Sequence, residues 1–329
     1  MLLSRRAWLT LGTSAGTAAI ILPGMARAAG FPSRPIKIIV PYPAAGPTDA
    51  LARIIANELQ ATLGQSVIVE NKPGASGMIG TRDGAKAEPD GHTLVLSTNQ
   101  THATNFILLK DIGYNPVTDF ACIAGLADLQ HVLVVSNALG VASVAELIAK
   151  AKAKPGALNY GSTGPGSGSH LAMELFKVRT GIDAQHIPFR GSAPLVQDII
   201  AGRIDLAMAT LPSVLGQIDG KTMRALALAS SQGAPQVPGL PRLQDQGVAD
   251  AEADAWLALF APAKTPADIQ ALLAKTTLDI MGRPSVKEAC AKQGFTIHTR
   301  DQDDMTRFLA AEITKWGEVA KTAKVVIDG

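Results

Sequence analysis

The 329-residue chain is poor in the residues that most often bind metals, with two cysteines, Cys122 and Cys290, and six histidines. The histidines show no HExxH pattern or other paired spacing of a metal site, and two distant cysteines do not make up a zinc site. An oxidising compartment would allow one disulfide, and two buried free thiols fit the sequence equally well. We therefore predict no metal and no cofactor, and the pairing of the cysteines stays open.

An excess of charge of one sign is also lacking, since 30 Lys and Arg residues face 28 Asp and Glu residues. The first 28 residues hold three arginines and no acid, so the rest of the chain is close to neutral. Aromatic residues make up only 4% of the chain, and no basic stripe is interleaved with them. Without a basic, aromatic surface we predict no nucleic-acid partner.

Long apolar runs are absent beyond the N-terminus. There, an apolar stretch over 7–22 follows the segment SRRAWL at 4–9, which resembles a twin-arginine signal, and Ala26-Arg27-Ala28 supplies an A-x-A cleavage site. A membrane anchor is the alternative, but two glycines and a proline interrupt the stretch, which falls short of the roughly 20 residues needed to span a bilayer. We interpret 1–28 as a twin-arginine-type signal peptide and predict a periplasmic protein.

Motifs of known enzyme classes are missing as well. Ser167 and Ser169 do not lie in G-x-S-x-G, and 216–222 is one residue short of a Walker A loop. A dinucleotide fingerprint starting at Gly164 would need a third glycine where Ser169 stands. We predict no catalytic residue. The alternative, a hydrolase or transferase acting on a carboxylate, would need a base for Ser167, which the sequence does not reveal.

What the sequence does contain is an alternation of short apolar runs with segments of helical period, which predicts an α/β fold of parallel strands linked by helices. A helix is predicted over 50–63, because Leu51, Ile54, Ile55, Leu59 and Leu63 fall on one helical face that ends at Gly64. Further strands are predicted at 36–40, 67–69, 93–96, 131–135, 205–209, 225–229 and 256–261, and further helices near 143–153, 168–180, 192–201 and over the C-terminal segment.

The segment YGSTGPGSGSHLAMELF at 160–176 is the strongest functional signal, because a glycine- and serine-rich turn runs directly into a helix. Glycines let a ligand approach the backbone closely, and a helix N-terminus offers unpaired N–H groups to an anion. We expect the ligand to carry a carboxylate or phosphate. The predicted contacts in this loop are Ser162, Thr163, Gly164, Gly166, Ser167 and Ser169.

Two more loops, at 41–49 and 71–80, also follow predicted strands. In parallel α/β sheets ligands bind beyond the carboxyl ends of the strands, so the three loops predict one cleft. Thr48 or Asp49 is well placed to cap the first helix. Arg190 precedes another helix, and its guanidinium could hold a carboxylate or bind carbonyl groups between two domains.

Taken together, several motifs resemble the Bug-type solute receptors, the periplasmic binding components of tripartite tricarboxylate transporters. The resemblance spans essentially the whole chain after residue 28. Its motifs are VPYPAAGPTDALAR (40–53), VENKPGASGMIG (69–80), YNPVTDFACI (114–123), YGSTGPGSGSHLAMELF (160–176), HIPFRGSAPLVQDIIAGRIDLAMA (186–209) and WLALFAPAKTP (256–266).

The resemblance implies a type II periplasmic binding fold, with two α/β domains that close on a small organic carboxylate. It implies domain 1 over 29–124 and 258–329 and domain 2 over 125–257. It also implies a monomer without catalytic activity that delivers its ligand to membrane subunits. The alternative role is a ligand-sensing subunit for a regulatory partner. Besides the residues of the glycine- and serine-rich loop at 160–169, called the glycine loop below, the implied contacts are Tyr42, Ala44, Ala45, Gly46, Thr48, Asp49, Thr98, Thr101 and Arg190. Pro47 departs from the family pattern and removes one backbone donor.

Overall fold

The computed structural model describes residues 30–325, so the predicted signal peptide lies outside the described residues. Eleven strands are present in this part of the chain: β1 (Ile36–Val40), β2 (Val67–Asn71), β3 (Thr93–Thr98), β4 (Phe120–Leu129), β5 (His131–Ser136), β6 (Asn159–Ser162), β7 (Gln185–Pro188), β8 (Leu206–Thr210), β9 (Met223–Leu228), β10 (Ala255–Pro262) and β11 (Thr296–Arg300). In residues 30–325 no helix combines the length and the apolar character required to cross a bilayer.

Ten α-helices connect the strands within 30–325: α1 (Pro47–Leu63), α2 (Met78–Ala85), α3 (Asn105–Leu108), α4 (Val144–Ala153), α5 (Gly168–Thr180), α6 (Ser192–Ile200), α7 (Leu211–Asp219), α8 (Ala267–Gly282), α9 (Pro284–Lys292) and α10 (Gln302–Thr322). Helix α1 buries Leu51, Ile55 and Leu59 and ends, as predicted, at Gly64, which has a φ of 69° and donates its N–H to the Gln60 carbonyl. The left-handed conformation there favours glycine.

The strands form two mixed sheets, with the orders β11-β4-β10-β3-β1-β2 and β7-β6-β8-β5-β9. The α/β class is therefore confirmed. The expectation of parallel strands holds for β1 with β2 and β3 and for β6 with β7 and β8. It is wrong for β5 and β10, which run antiparallel to both of their neighbours. All eight residues of β10 are buried, and a wholly apolar run carries no information on strand direction.

The chain passes between the sheets twice, at neighbouring points. It leaves the first sheet at Leu129 and enters the second at His131, and it returns from Ala253 to Ala255, which pairs with Leu129. The ring Nδ1 of His131 lies 2.5 Å from the Ala253 carbonyl oxygen and links the two crossings. The predicted domain boundaries, after residues 124 and 257, fall inside β4 and β10, and the division into domains stays a prediction.

The C-terminal helix α10 packs on the first sheet and on α5. Its apolar stripe buries Met305, Leu309 and Trp316, and the helix predicted over the C-terminal segment is present. Trp316 and Trp256 both donate their indole N–H to the buried Glu312 carboxylate, at 2.8 and 3.1 Å. Two indole donors satisfy an acid that would be costly to bury alone. Both cysteines are free thiols, and burial raises the pKa of Cys122 to about 12 and that of Cys290 to about 11.

Candidate functional site

The glycine loop joins the end of β6 to the start of α5. Gly164 and Gly166 have φ values of 136° and 70°, which side chains disfavour, so the turn depends on glycine at both positions. Ser167 is the N-cap of α5 and accepts the His170 N–H at 3.2 Å. The structure thus places an N-cap serine where the sequence predicted a ligand donor, and this helix start is satisfied by its own side chain.

The other hydroxyls of this loop also bond within it. Ser169 Oγ accepts the Thr163 N–H at 2.9 Å and lies 3.0 Å from Ser167 Oγ. Ser162 is fully buried, and its Oγ lies 2.6 Å from His186 Nε2. The predicted loop residues are therefore brought together, and their hydroxyls define the shape of the loop. Their contact with a ligand stays a prediction.

Beneath the loop lies a stack of three rings that the sequence did not predict. His186 lies between Tyr160 and His170, with centroid distances of 4.9 and 4.0 Å and interplanar angles of 14° and 8°. Burial lowers the pKa of His170, and burial together with the neighbouring His170 lowers the pKa of His186 to about 4. No sequence spacing signals this contact, because β6, α5 and β7 must first pack together.

The loop between β1 and α1 is built around Asp49. Although burial favours its neutral form, hydrogen bonds from Arg53 and from the Ala45 N–H at 2.9 Å hold the pKa of Asp49 below its usual range. The prediction of Thr48 or Asp49 as N-cap is wrong. Helix α1 starts three residues earlier than predicted, with Gly46 as N-cap and no side-chain hydrogen bond to the cap. Pro47 fixes this earlier start because its φ suits the first helical position.

Tyr42, Thr98 and Thr101 form the floor beside this loop. Tyr42 Oη lies 2.6 Å from Thr98 Oγ1, and the fully buried Thr101 donates its hydroxyl to the Thr98 carbonyl at 3.2 Å. Burial raises the pKa of Tyr42, so its hydroxyl is neutral. The first contact connects the end of β3 to the loop that follows β1. Ala44 lies in the same loop and is exposed.

Residues 30–129 and 255–325, around the first sheet, make up one half of the molecule, and residues 131–253, around the second sheet, make up the other. Loops from these two halves meet across the cleft. Thr104 donates its hydroxyl to the Gly166 carbonyl at 2.7 Å, and Gln100 and Ser76 donate to the Pro165 carbonyl at 3.4 and 3.3 Å. A Cβ atom placed on Gly191 would lie 3.6 Å from the Pro43 ring. The loop at 71–80 thus contacts the loop at 160–169, and the loop at 41–49 approaches Gly191. That all three line one ligand cleft stays a prediction, and no sequence signal pointed to Gln100 or Thr104.

A groove with a volume of about 610 Å³ opens between these halves. Ala45, Gly46 and Pro47 at the start of α1 form part of one wall, and Ser192 and Ala193 at the start of α6 form part of the other. The N-caps of both helices are glycines without a side-chain hydrogen bond. The first N–H groups of α1 and α6 therefore lack the side-chain acceptor that Ser167 provides for α5, and they favour a negative charge in the groove. This volume lies in the usual range for small-molecule sites.

Arg190 and Asn99 are two polar residues of this region without a protein partner. Arg190 is exposed and makes no hydrogen bond or ion pair within residues 30–325. The expectation that it binds carbonyl groups between the domains is therefore not met in this part of the chain. Asn99 is 2% exposed, and its Nδ2 is without a hydrogen bond among the described residues. A Cβ placed on Gly168 would lie 3.2 Å from this nitrogen.

The described residues contain no group of three or more His, Cys, Asp or Glu side chains arranged to hold a metal ion. The groove is lined instead by the starts of α1 and α6 and by side chains that include Ser192, Lys292 and Asp219, and Arg190 lies next to the Gly191 cap of α6. Helix N-terminal N–H groups and cationic side chains favour an anionic ligand through charge-assisted hydrogen bonds. An anionic ligand in the groove would be recognised by groups from both halves of the molecule.

Comparisons with known proteins agree on one family. The model of the "Tripartite tricarboxylate transporter family receptor" matches residues 51–325. Protein BugT of Bordetella pertussis is 36% identical over 312 residues, which cover 94% of this chain and 95% of BugT. The structure of R. palustris Rpa4515 with adipate has a TM-score of 0.87 at 35% identity, covering 90% of this chain and 99% of that one. MatC of Rhodopseudomonas palustris, with bound malate, has a TM-score of 0.81 at 28% identity, covering 88% and 99%.

Proposed function

The chain belongs to the tripartite tricarboxylate transporter receptor family, and we propose that it is a periplasmic receptor that binds a small organic carboxylate between its two halves. The family inferred from the sequence motifs is confirmed. The observation that carries the proposal is the groove in which the uncapped starts of α1 and α6 face one another. Adipate and malate, present in two structural neighbours, are small carboxylates of a size that such a groove accepts.

Each half supplies part of the binding energy. A carboxylate in the groove receives N–H groups from α1 in one half and from α6 in the other only when the halves are close together, so the ligand stabilises the closed arrangement. Charge-assisted hydrogen bonds contribute about 1.5–3 kcal/mol each. Four or five of them exceed the cost of ordering and leave about −8 kcal/mol, a micromolar dissociation constant. Arg190, next to the Gly191 cap, is a further partner for a second carboxylate.

The proposal extends to the partners and the export of the protein. The closed receptor delivers its ligand to the membrane subunits of a tripartite transporter as a monomer. Residues 1–28 direct it to the periplasm through the twin-arginine route. Family membership supports the transporter, and the order of basic, apolar and small residues supports the signal peptide.

An enzyme on this scaffold is not favoured, because the family consists of receptors. The contact that most resembles a nucleophile with its base is Ser162 Oγ to His186 Nε2, at 2.6 Å. Ser162 is fully buried, and its hydroxyl is shared with the Gly164 backbone at 3.2 Å. A nucleophile must reach its substrate, so this pair has a structural role.

Thermal unfolding of residues 29–329 with a panel of carboxylates tests the proposal. The panel contains adipate, malate, citrate, benzoate and inorganic phosphate. A ligand at 100 times its dissociation constant adds about 2.7 kcal/mol of stability, which raises Tm measurably. If no compound raises Tm, mass spectrometry of material extracted from the denatured protein shows whether a different ligand is already bound. Protein that carries no ligand and binds none of the panel contradicts the proposal.

A pair of variants locates the ligand. Ala193→Asp places a carboxylate at the second position of α6, inside the groove, where it competes with the ligand but suits the helix start. We expect at least a tenfold loss of affinity without a loss of stability. Ala145→Asp is the matched control, because Ala145 is also exposed and occupies the second position of α4, outside the groove. Equal affinities for the two variants would place the ligand elsewhere.

A further inference from the structure

The ring stack under the glycine loop is connected to the backbone of that loop by two hydrogen bonds. The Gly166 N–H donates to His170 Nδ1 at 3.1 Å. Ser162 Oγ lies 2.6 Å from His186 Nε2. Each histidine therefore holds one end of the turn between β6 and α5, and the two rings are pressed face to face at 4.0 Å.

The first of these hydrogen bonds requires a neutral imidazole at His170. An N–H can donate to His170 Nδ1 only if that nitrogen carries no proton, so His170 is the tautomer protonated on Nε2. Two imidazolium rings stacked at 4.0 Å would repel one another. Protonation of His170 breaks the hydrogen bond from Gly166, and protonation of both rings adds this repulsion, so each works against the observed loop.

The charged groups around the stack do not change this conclusion. Glu174 on α5 accepts a hydrogen bond from the Tyr160 hydroxyl and one from Lys177 Nζ at 2.9 Å. Lys177 Nζ also lies 5.2 Å from the centre of the Tyr160 ring. Glu174 therefore favours a positive charge on the imidazoles, and Lys177 opposes it less strongly. Burial outweighs the carboxylate, so the pKa of both histidines is lowered.

We propose that His170 and His186 are positioning residues that hold the glycine loop in its binding shape, and that His170 does so only while its ring is neutral. Their own contacts are with Gly166 and Ser162, and they act on a ligand through the loop. The link to binding rests on the proposed receptor function, whereas the effect on the loop does not. Two measurements separate these parts.

The first measurement uses the ligand-free protein. Two-dimensional NMR follows the His170 imidazole and the Gly166 amide from pH 7.5 to pH 3.5 in the wild type, in His170→Asn and in His298→Asn. Asparagine places an acceptor oxygen where Nδ1 stood but does not titrate. We expect the Gly166 amide to shift together with the His170 ring in the wild type and in the control His298→Asn, and this shift to disappear in His170→Asn. The same Gly166 profile in all three proteins would overturn the proposal.

The second measurement is adipate affinity at pH 7.5 for the wild type, His170→Ala and His170→Asn. Loss of the acceptor in His170→Ala should weaken binding about 5-fold to 30-fold, and His170→Asn should restore most of it. Equal affinities for His170→Ala and wild type, or equal losses in the two variants, would overturn the link to binding. Should the wild type not bind adipate, the receptor proposal for this ligand fails while the NMR result still decides the role of the histidines.

Discussion

The hydrogen bond from Thr104 to Gly166 joins the two halves of the chain directly, so its removal should weaken ligand binding. Thr104 is fully buried, and its Oγ1 lies 2.7 Å from the Gly166 carbonyl oxygen. Thr104→Val keeps the shape of the side chain and removes the donor. The carbonyl then loses a partner away from water, which costs about 1–3 kcal/mol in the arrangement seen here. If ligand binding needs this arrangement, a cost of 1–2 kcal/mol lowers the affinity about 5-fold to 30-fold.

Isothermal titration with the carboxylate identified by thermal unfolding measures this loss. The matched control is Thr81→Val, because Thr81 is also fully buried and donates to the Gly77 carbonyl at 2.9 Å within one half of the chain. Both variants should lose stability, and only Thr104→Val should lose affinity. Equal affinities for the two variants would refute the claim that the Thr104 bond belongs to the binding arrangement.

Three further predictions concern stability. Burial raises the pKa of Asp254 to about 7. The stability that this acid provides is therefore fully present below its unfolded pKa, which is near 4, and is lost as pH rises through 7. Asp254→Asn should raise Tm more at pH 8 than at pH 5. Gly80→Ala should lower Tm because its Cβ would lie 2.8 Å from a backbone oxygen, whereas Gly216→Ala, with open space around it in α7, should gain up to about 1 kcal/mol. Cys122 and Cys290 are free, so a reducing agent should leave Tm unchanged and thiol titration of unfolded protein should find both.

The sequence predicted elements whose signals are local. Helix α1 has an apolar stripe and a terminal glycine, and both features are properties of neighbouring residues. Strand β7 was not predicted, because Gln185–Pro188 is mostly exposed and shows no alternation. The predicted direction of β10 was wrong for a related reason. A strand that is buried on both faces has the same apolar sequence pattern whether it runs parallel or antiparallel to its neighbours.

The difference between local signals, which the sequence shows, and long-range contacts, which it does not, applies to the site as well. Glycine and serine residues in the 160–169 loop indicated a turn at a helix start, which the structure contains. The sequence could not show that Ser167 caps this helix while α1 and α6 remain uncapped, because capping depends on backbone angles at single residues. The contact between His170 and His186 depends on the packing of two separate elements. Long-range contacts of this kind follow from the fold and not from spacing.

The pairing of Leu129 with Ala255 bears on how a receptor of this kind can diversify. Residues 131–253 leave and rejoin the first sheet from adjacent strands, which lie about 5 Å apart. They form one uninterrupted insertion that carries the glycine loop, both stacked histidines and the start of α6. Recombination between relatives would need only two junctions, side by side, to exchange this whole half of the cleft. We expect chimeras joined at these points to inherit ligand preference as a block, while the first sheet keeps its strand order.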